Sequence, residues 1–169
     1  MAAGRYVDGV LGRSLGGTTE RPSLGEIGLN HFGPYLINRI TARWNAVLAE
    51  ELKAFDLNTS MMRTLGVLSI SSSSTINELA LLTLTEQSTM SRMLDSMESQ
   101  GLIERRQRED DMRVRQIHIT EKGRGLFERF WPIMYGKYCR MLDGISEAEY
   151  EAFVATAHRM LRNLYPQEG

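Results

Sequence analysis

Apolar residues recur at intervals of three and four over long stretches of this chain and alternate over two short ones. Ile37, Ile40, Trp44, Val47, Leu48 and Leu52 share one helical face. That pattern predicts an amphipathic helix entered at Pro34, which suits a first turn, and ending near Phe55. Asp56 to Thr59 reads as a turn, with Thr59 or Ser60 capping a second helix through Met61, Leu65, Val67, Leu68 and Ile70. The serine run Ser71 to Ser74 ends it as a loop. Thr75-Ile76-Asn77-Glu78 then has the form of a capping box, and Leu79, Ala80 and Leu82 follow as the buried side of a short helix. Thr83 and Thr85 interrupt the pattern. Thr85 is the expected N-cap of the next helix, with Glu86 in its first turn, where the helix dipole favours an acid. Met90, Met93, Leu94 and Met97 mark that helix's buried face, and Gly101 closes it as a left-handed cap.

The alternating stretches come next. Leu102 to Arg106 is a short strand candidate. Val114 to Thr120 is another, with Ile117 and Ile119 set against Gln116 and His118. A charged turn, Gln107 to Arg113, joins them. After Thr120, a good N-cap, a long helix carries Leu126, Phe127, Phe130, Ile133, Met134, Tyr138 and Met141 on one side. Pro132 is expected to kink it or break it locally. Asp143-Gly144 ends it. A second capping box, Ser146 to Glu149, opens a last helix with Tyr150, Phe153, Val154, Ala157, Leu161 and Leu164, stopped by Pro166.

Helix, turn, helix and then a basic hairpin make a winged helix-turn-helix, the hairpin being the wing. The outward side of the second of these helices carries Gln87, Ser88, Thr89, Ser91 and Arg92. Short hydrogen-bonding side chains and an arginine near a helix N-terminus can approach a major groove and read base edges. The stretch STMSRMLDSMESQGLIERR, followed by DDMR and HITEKG, resembles the MarR family of bacterial transcription regulators. In that family an S-T-apolar-S-R helix leads through G-L-apolar-E-R-R to a D-x-R wing tip and L-T-x-x-G. The resemblance is dense from Glu78 to Gly123 and extends as helix layout over roughly Asn30 to Tyr165. Met112 stands where a second wing arginine is common, and Ile119 replaces the usual leucine.

The resemblance implies a mainly α fold with a small β-hairpin wing and with N- and C-terminal dimerisation helices. It implies a homodimer on a pseudo-palindromic double-stranded DNA operator, acting as a repressor. Gln87, Ser88, Thr89, Ser91 and Arg92 would enter the major groove, and Arg113, oriented by Asp111, the adjacent minor groove. Arg105, Arg106 and Ser74 would contact phosphates, with Thr75 beside Ser74 at a helix start that the family sets against the DNA backbone. It also implies a ligand crevice between the dimer helices and the winged region, taking a small aromatic or phenolic molecule. Trp44, Met62, Phe130 and Tyr135 are the aromatic and soft residues to inspect there, with core packing as the alternative for each.

Composition adjusts this picture. The 169 residues fit one domain plus an arm, and 42% hydrophobic content supports a packed core. The apolar terminal helices exceed what a lone small domain can hide, which favours a subunit interface. Residues 1–28 form a glycine-rich arm, expected to be mobile or extended. The expected division is then a dimerisation helix over 29–56, the winged helix-turn-helix over 57–120, and a long helix with the C-terminal dimerisation helix over 121–169. Net charge is −1, so DNA affinity has to come from charges placed in space, doubled by a dimer.

The candidate chemistry is sparse. His31, His118 and His158 have no metal-ligand spacing, and no P-loop, G-x-G-x-x-G or G-x-S-x-G motif is present, so neither metal nor cofactor is expected and an enzyme is the weak alternative. The single Cys139 cannot form an intrachain disulfide, which fits a reducing cytoplasm. Its neighbours Lys137 and Arg140 make a thiol-based redox switch a third reading. No run is apolar enough to span a bilayer, so no membrane partner is expected.

Overall fold

The computed structural model describes residues 28, 31–71, 73–108 and 114–165. The glycine-rich arm of the sequence analysis lies almost wholly outside them. Helix α1 (Gly33–Leu52) begins with proline in its first turn and passes into a 3-10 turn, Lys53–Phe55. Asp56 then takes a left-handed conformation, φ 54°, and reverses the chain. Helix α2 (Thr59–Ile70) is capped by Asn58, whose side chain accepts the Met61 N–H at 2.9 Å. The cap is therefore one residue before Thr59 and two before Ser60, because the Asp56 reversal leaves Asn58 extended and a strong N-cap former already in place.

The serine run does not end as a loop. Ser74–Thr75 form a two-residue strand, β1, that pairs with β3. Helix α3 (Ile76–Leu82) and helix α4 (Gln87–Ser99) follow, then β2 (Ile103–Gln107) and β3 (Arg115–Ile119). The sheet order is β1-β3-β2, antiparallel, with Ile103 opposite Ile119, Arg105 opposite Ile117 and Ser74 on the other side of Ile117. Pattern reading could not find β1: two serine-threonine residues carry no alternation, and their pairing depends on a partner far along the chain.

Helix α5 (Glu121–Met141) runs unbroken through Pro132. Pro132 is exposed, so water can serve the carbonyl that loses its helical partner there. Helix α6 (Glu147–Leu164) starts from the Ser146–Glu149 capping box, in which both reciprocal bonds are present. The Ser146 hydroxyl and N–H hold the Glu149 carboxyl below its ordinary range.

One core serves these elements. Leu52, Leu65, Leu68, Leu79, Met90, Leu94, Met97, Leu102, Ile103, Ile117 and Phe130 are almost fully buried in it. Phe130 of α5 meets Phe55 edge-on, ring centres 5.4 Å apart. The buried hydroxyls are satisfied locally: Thr64 donates to Ser60 O and Thr83 to Leu79 O. The outer helices contrast with this. Helix α6 buries none of its residues, and Phe153, Leu161 and Leu164 are 56%, 52% and 75% exposed. Leu36, Ile37 and Ile40 on the first half of α1 are similarly uncovered.

Where α4, the wing and α5 meet, backbone packing is tight. Gly101, φ 69°, closes α4, with its N–H on Glu98 O and the Leu102 N–H on Met97 O. Leu102 O accepts the Thr120 N–H, and the Thr120 hydroxyl donates to Gly101 O at 2.7 Å while accepting from Gly123 N at 3.1 Å. A Cβ on Gly123 would lie 2.1 Å from the Leu102 carbonyl oxygen. Gly123→Ala is expected to lower unfolding free energy by about 2–3 kcal/mol, the upper range for overpacking against an immovable neighbour. Gly125→Ala, one turn into the same helix with 3.9 Å to its nearest neighbour, should raise it by about 0.5–1 kcal/mol. Urea unfolding of the two variants checks the pair; equal effects would show that the close approach at Gly123 is not a constraint.

Candidate nucleic-acid interface

Helix α3 is fixed at its start. Thr75 N–H donates to the Glu78 carboxylate at 2.7 Å, and the Thr75 hydroxyl accepts the Glu78 N–H at 3.3 Å. These bonds hold the Glu78 carboxyl below its ordinary range, with a smaller push from the Arg108 charge. The α3–α4 turn is equally specified. Thr85 N–H bonds Ala80 O at 2.9 Å, the buried Thr83 hydroxyl reaches Thr85 Oγ1 at 3.1 Å, and Leu84 between them is left-handed, φ 55°. Thr85 is thus part of the turn. Glu86 takes the N-cap position of α4 and makes no side-chain cap bond.

The buried stripe of α4 is Met90, Met93, Leu94 and Met97, as its spacing predicts. Helical geometry then sets Ser88 and Arg92 at the centre of the opposite face, with Gln87 and Ser91 on one flank and Thr89 on the other. Gln87, Ser88, Thr89 and Arg92 are exposed and Ser91 is half-buried. Gln87 Nε2 donates to Asn77 Oδ1 of α3 at 2.7 Å. Sequence spacing marks Asn77 only as a member of the capping box, because nothing in it shows that α3 and α4 bring the two amides together.

The wing is braced to α4 by one arginine. The Arg105 guanidinium bonds Asp95 at 2.7 Å and also Glu98, and the Arg105 N–H donates to the other Glu98 oxygen at 3.2 Å. Its side chain is only 16% exposed. This differs from the phosphate contact expected of Arg105: two carboxylates of α4 already hold the group. Arg106 points outward, 62% exposed, and pairs with Glu104 on its own strand. Ser74 departs from expectation too. It is buried, and its hydroxyl shares a 3.1 Å bond with Ser71, so the side chain faces the protein. Thr75, in contrast, is half-buried at the start of α3. Asp111 and Arg113 lie outside the described residues. The hairpin is closed below them by Arg108 N–H on Val114 O at 2.9 Å.

The four residues expected at a ligand crevice divide in two. Met62 and Phe130 belong to the core, because both face inward where α2 and α5 pack. Trp44 and Tyr135 come together, with Trp131, Met134 and Tyr138, around a crevice of about 320 Å³. An aromatic row, Phe127, Trp131, Tyr135 and Tyr138, runs along α5 with ring centres 5.9–6.0 Å apart and continues to Tyr150 at 6.1 Å. A hydrogen bond with Tyr150 pushes the Tyr138 hydroxyl up to about 12. Contact with Cys139, which is exposed, raises Tyr135. Trp44 also lines a groove of about 740 Å³ between α1 and α5, where Arg39, Arg43, Lys137 and Arg140 surround Leu36, Ile40, Val47 and Met141. Lys137 is paired there with Glu51 at 2.6 Å. Among the described residues no group of three or more His, Cys, Asp or Glu could hold a metal. None of their helices is long and apolar enough to cross a membrane.

A polar helix face set beside a three-stranded wing, on a head whose outer helices expose apolar faces, defines a winged helix-turn-helix DNA-binding protein. The comparisons narrow this. Residues 55–113 match the model of the MarR family. A MarR family transcriptional regulator from Silicibacter pomeroyi is 39% identical, with a TM-score of 0.79, over 88% of this chain and 100% of that one. The Staphylococcus aureus MepR–DNA complex is 27% identical, with a TM-score of 0.70, over 78% of this chain and 97% of that one. The HTH-type transcriptional repressor IacR of Pseudomonas putida is 27% identical over 144 residues, 85% of this chain and 84% of that protein. The chain belongs to the MarR family and is a DNA-binding transcription regulator.

The two wing arginines should separate by measurement. Arg105→Ala leaves Asp95 and Glu98 without their partner, so stability should fall by about 1–3 kcal/mol, the range for a charged hydrogen-bonded group at a part-buried site. Arg106→Ala should stay within about 0.5 kcal/mol, as surface pairs contribute little. On DNA the order should reverse, with Arg106→Ala flattening the salt dependence more. Denaturant midpoints and salt series on the same two proteins test both halves.

Proposed function

We propose that this protein is a homodimeric, ligand-responsive repressor that binds a pseudo-palindromic DNA operator, with α4 of each subunit in a major groove. The observation carrying this reading is the α4 face: exposed and polar, centred on Ser88 and Arg92, with the one carboxylate beside them, Asp95, paired to Arg105, and fixed in direction by a buried stripe of Met90, Met93, Leu94 and Met97. Residues 57–120 act as the DNA-binding head, while 29–56 and 121–169 hold the two subunits together. The uncovered faces of α1 and α6 support that division, since apolar surface on this scale is ordinarily covered by a partner. A two-fold dimer sets its recognition helices about one helical turn of DNA apart. Arg113, with Asp111 beside it at the wing tip, reaches the adjacent minor groove, whose potential favours a planar, weakly hydrated cation. Thr75 and Arg106 contact phosphate. No catalytic step belongs to this reading, and its place of action is the cytoplasm, with the DNA.

The effector is a small aromatic or phenolic molecule held where Trp44 and Tyr135 converge. The crevice is small and almost wholly apolar or aromatic, and it lies between α1 and α5, so a bound molecule would press on the joint between the dimer helices and the head. A thiol switch has less support, because the chain has no second cysteine to pair with Cys139.

Two predictions test the reading. Leu161→Glu, on the uncovered face of α6, should give monomers in sedimentation with an intact head. Its operator affinity should drop by about 10²-fold or more, because the second head no longer binds intramolecularly. A variant that stays dimeric would remove α6 from the interface. Arg113→Ala should weaken operator binding by about 1–3 kcal/mol per subunit and flatten the salt slope by about two units for the dimer. Unchanged isotherms would leave the wing off the DNA.

A further inference from the structure

Asn77 and Gln87 form an exposed amide pair across the two helices of the helix-turn-helix, Gln87 Nε2 donating to Asn77 Oδ1 at 2.7 Å. Water competes for both groups, so the pair depends on the fold holding them in register. That register is well fixed. The capping box pins the first turn of α3, where Asn77 sits, and the Thr83–Thr85 turn sets the first residue of α4, which is Gln87.

We infer that Asn77 is a positioning residue for base recognition, orienting the Gln87 amide so that it selects adenine over guanine. This rests on the reading of α4 as the helix that enters the major groove. A glutamine NH2 carries two hydrogens and its carbonyl oxygen accepts. One hydrogen is already given to Asn77. What remains is one N–H and one acceptor, side by side in a plane. Adenine offers the matching edge, N7 as acceptor and the N6 amino group as donor, whereas guanine offers two acceptors, N7 and O6. On guanine the tethered amide would set its own oxygen against O6. An untethered glutamine can roll until its NH2 faces guanine and loses less. Asn77 therefore acts on the choice of base without touching the base.

The experiment uses the full chain and a duplex recovered by selection from a random library, then varied one base pair at a time. Wild type should show one position per half-site where adenine is preferred over guanine by about 5- to 150-fold, the span of a good bidentate contact. Gln87→Ala should bring that ratio near one. Asn77→Ala should lower the same ratio at least about fivefold, within that span, and leave the ratios elsewhere and the salt slope unchanged. Asn77→Asp keeps an acceptor for Gln87, so it should keep the ratio even though its charge weakens binding to every sequence. A merely structural role for Asn77 would lower all ratios or all affinities together, and that result would overturn the inference. If Gln87→Ala erases the preference and Asn77→Ala does not, the Asn77 role fails alone. If Gln87→Ala changes no position, or selection yields no preferred sequence, the groove contact fails and takes this inference with it.

Discussion

Everything that faces outward from the head depends on one crowded junction, where Leu102 leaves α4 and Gly123 enters α5. The Leu102 carbonyl receives the last N–H of the wing, and α5 presses against it so closely that no side chain fits between. The Thr120 hydroxyl accepts one bond and donates another across the same gap, and Lys122 Nζ reaches Gln100 O at 2.6 Å. The end of the recognition helix, both roots of the wing and the start of the long helix are thereby held within one turn of each other. Gly101 lets α4 stop abruptly there, so that Leu102 and the first residue of β2, Ile103, are already buried. The directions of α4 and the wing follow from that closure.

The charge economy of the head follows a similar logic. A chain of net charge −1 has no bulk attraction for DNA, so its cations have to be sorted by position. Arg105 is turned inward and shared between two carboxylates of α4, Asp95 and Glu98, whose charge it offsets. Arg92 and Arg106 are left on the outside. The α1–α5 groove gathers Arg39, Arg43, Lys137 and Arg140, none of which belongs to the helix-turn-helix or the wing.

Much of this was legible in the sequence. Methionine and leucine spacing gave the inner face of α4, the S/T-x-x-E boxes gave the starts of α3 and α6, and alternation gave β2 and β3 to within a residue. These features are local, and local physics writes them into consecutive residues. What escaped was non-local. Strand β1 exists because Ser74 finds Ile117; Arg105 is a brace because β2 folds back along α4; Asn77 matters because a turn brings it to Gln87. Met62 and Phe130 are chemically suited to a ligand crevice, yet which apolar residues close a core and which line a crevice is decided only when α2 and α5 pack. Trp44 packs against the edge of the core, whereas Tyr135 stands half exposed beside it, and the crevice lies between them.

The short strand β1 has a mechanical consequence. Because Ser74 and Thr75 pair with β3, the shared strand ties the first turn of α3 to the wing, and the junction at Leu102 ties the other end of the wing to α4. Among the described residues, the helix-turn-helix and the strands of the wing then form a closed linkage. Bending one member would break sheet bonds, a cap and a buried contact together, whereas tilting the assembly as a block strains only the long helices that carry it. Such a head behaves as a rigid tool on a compliant handle: its aim is easier to alter than its shape.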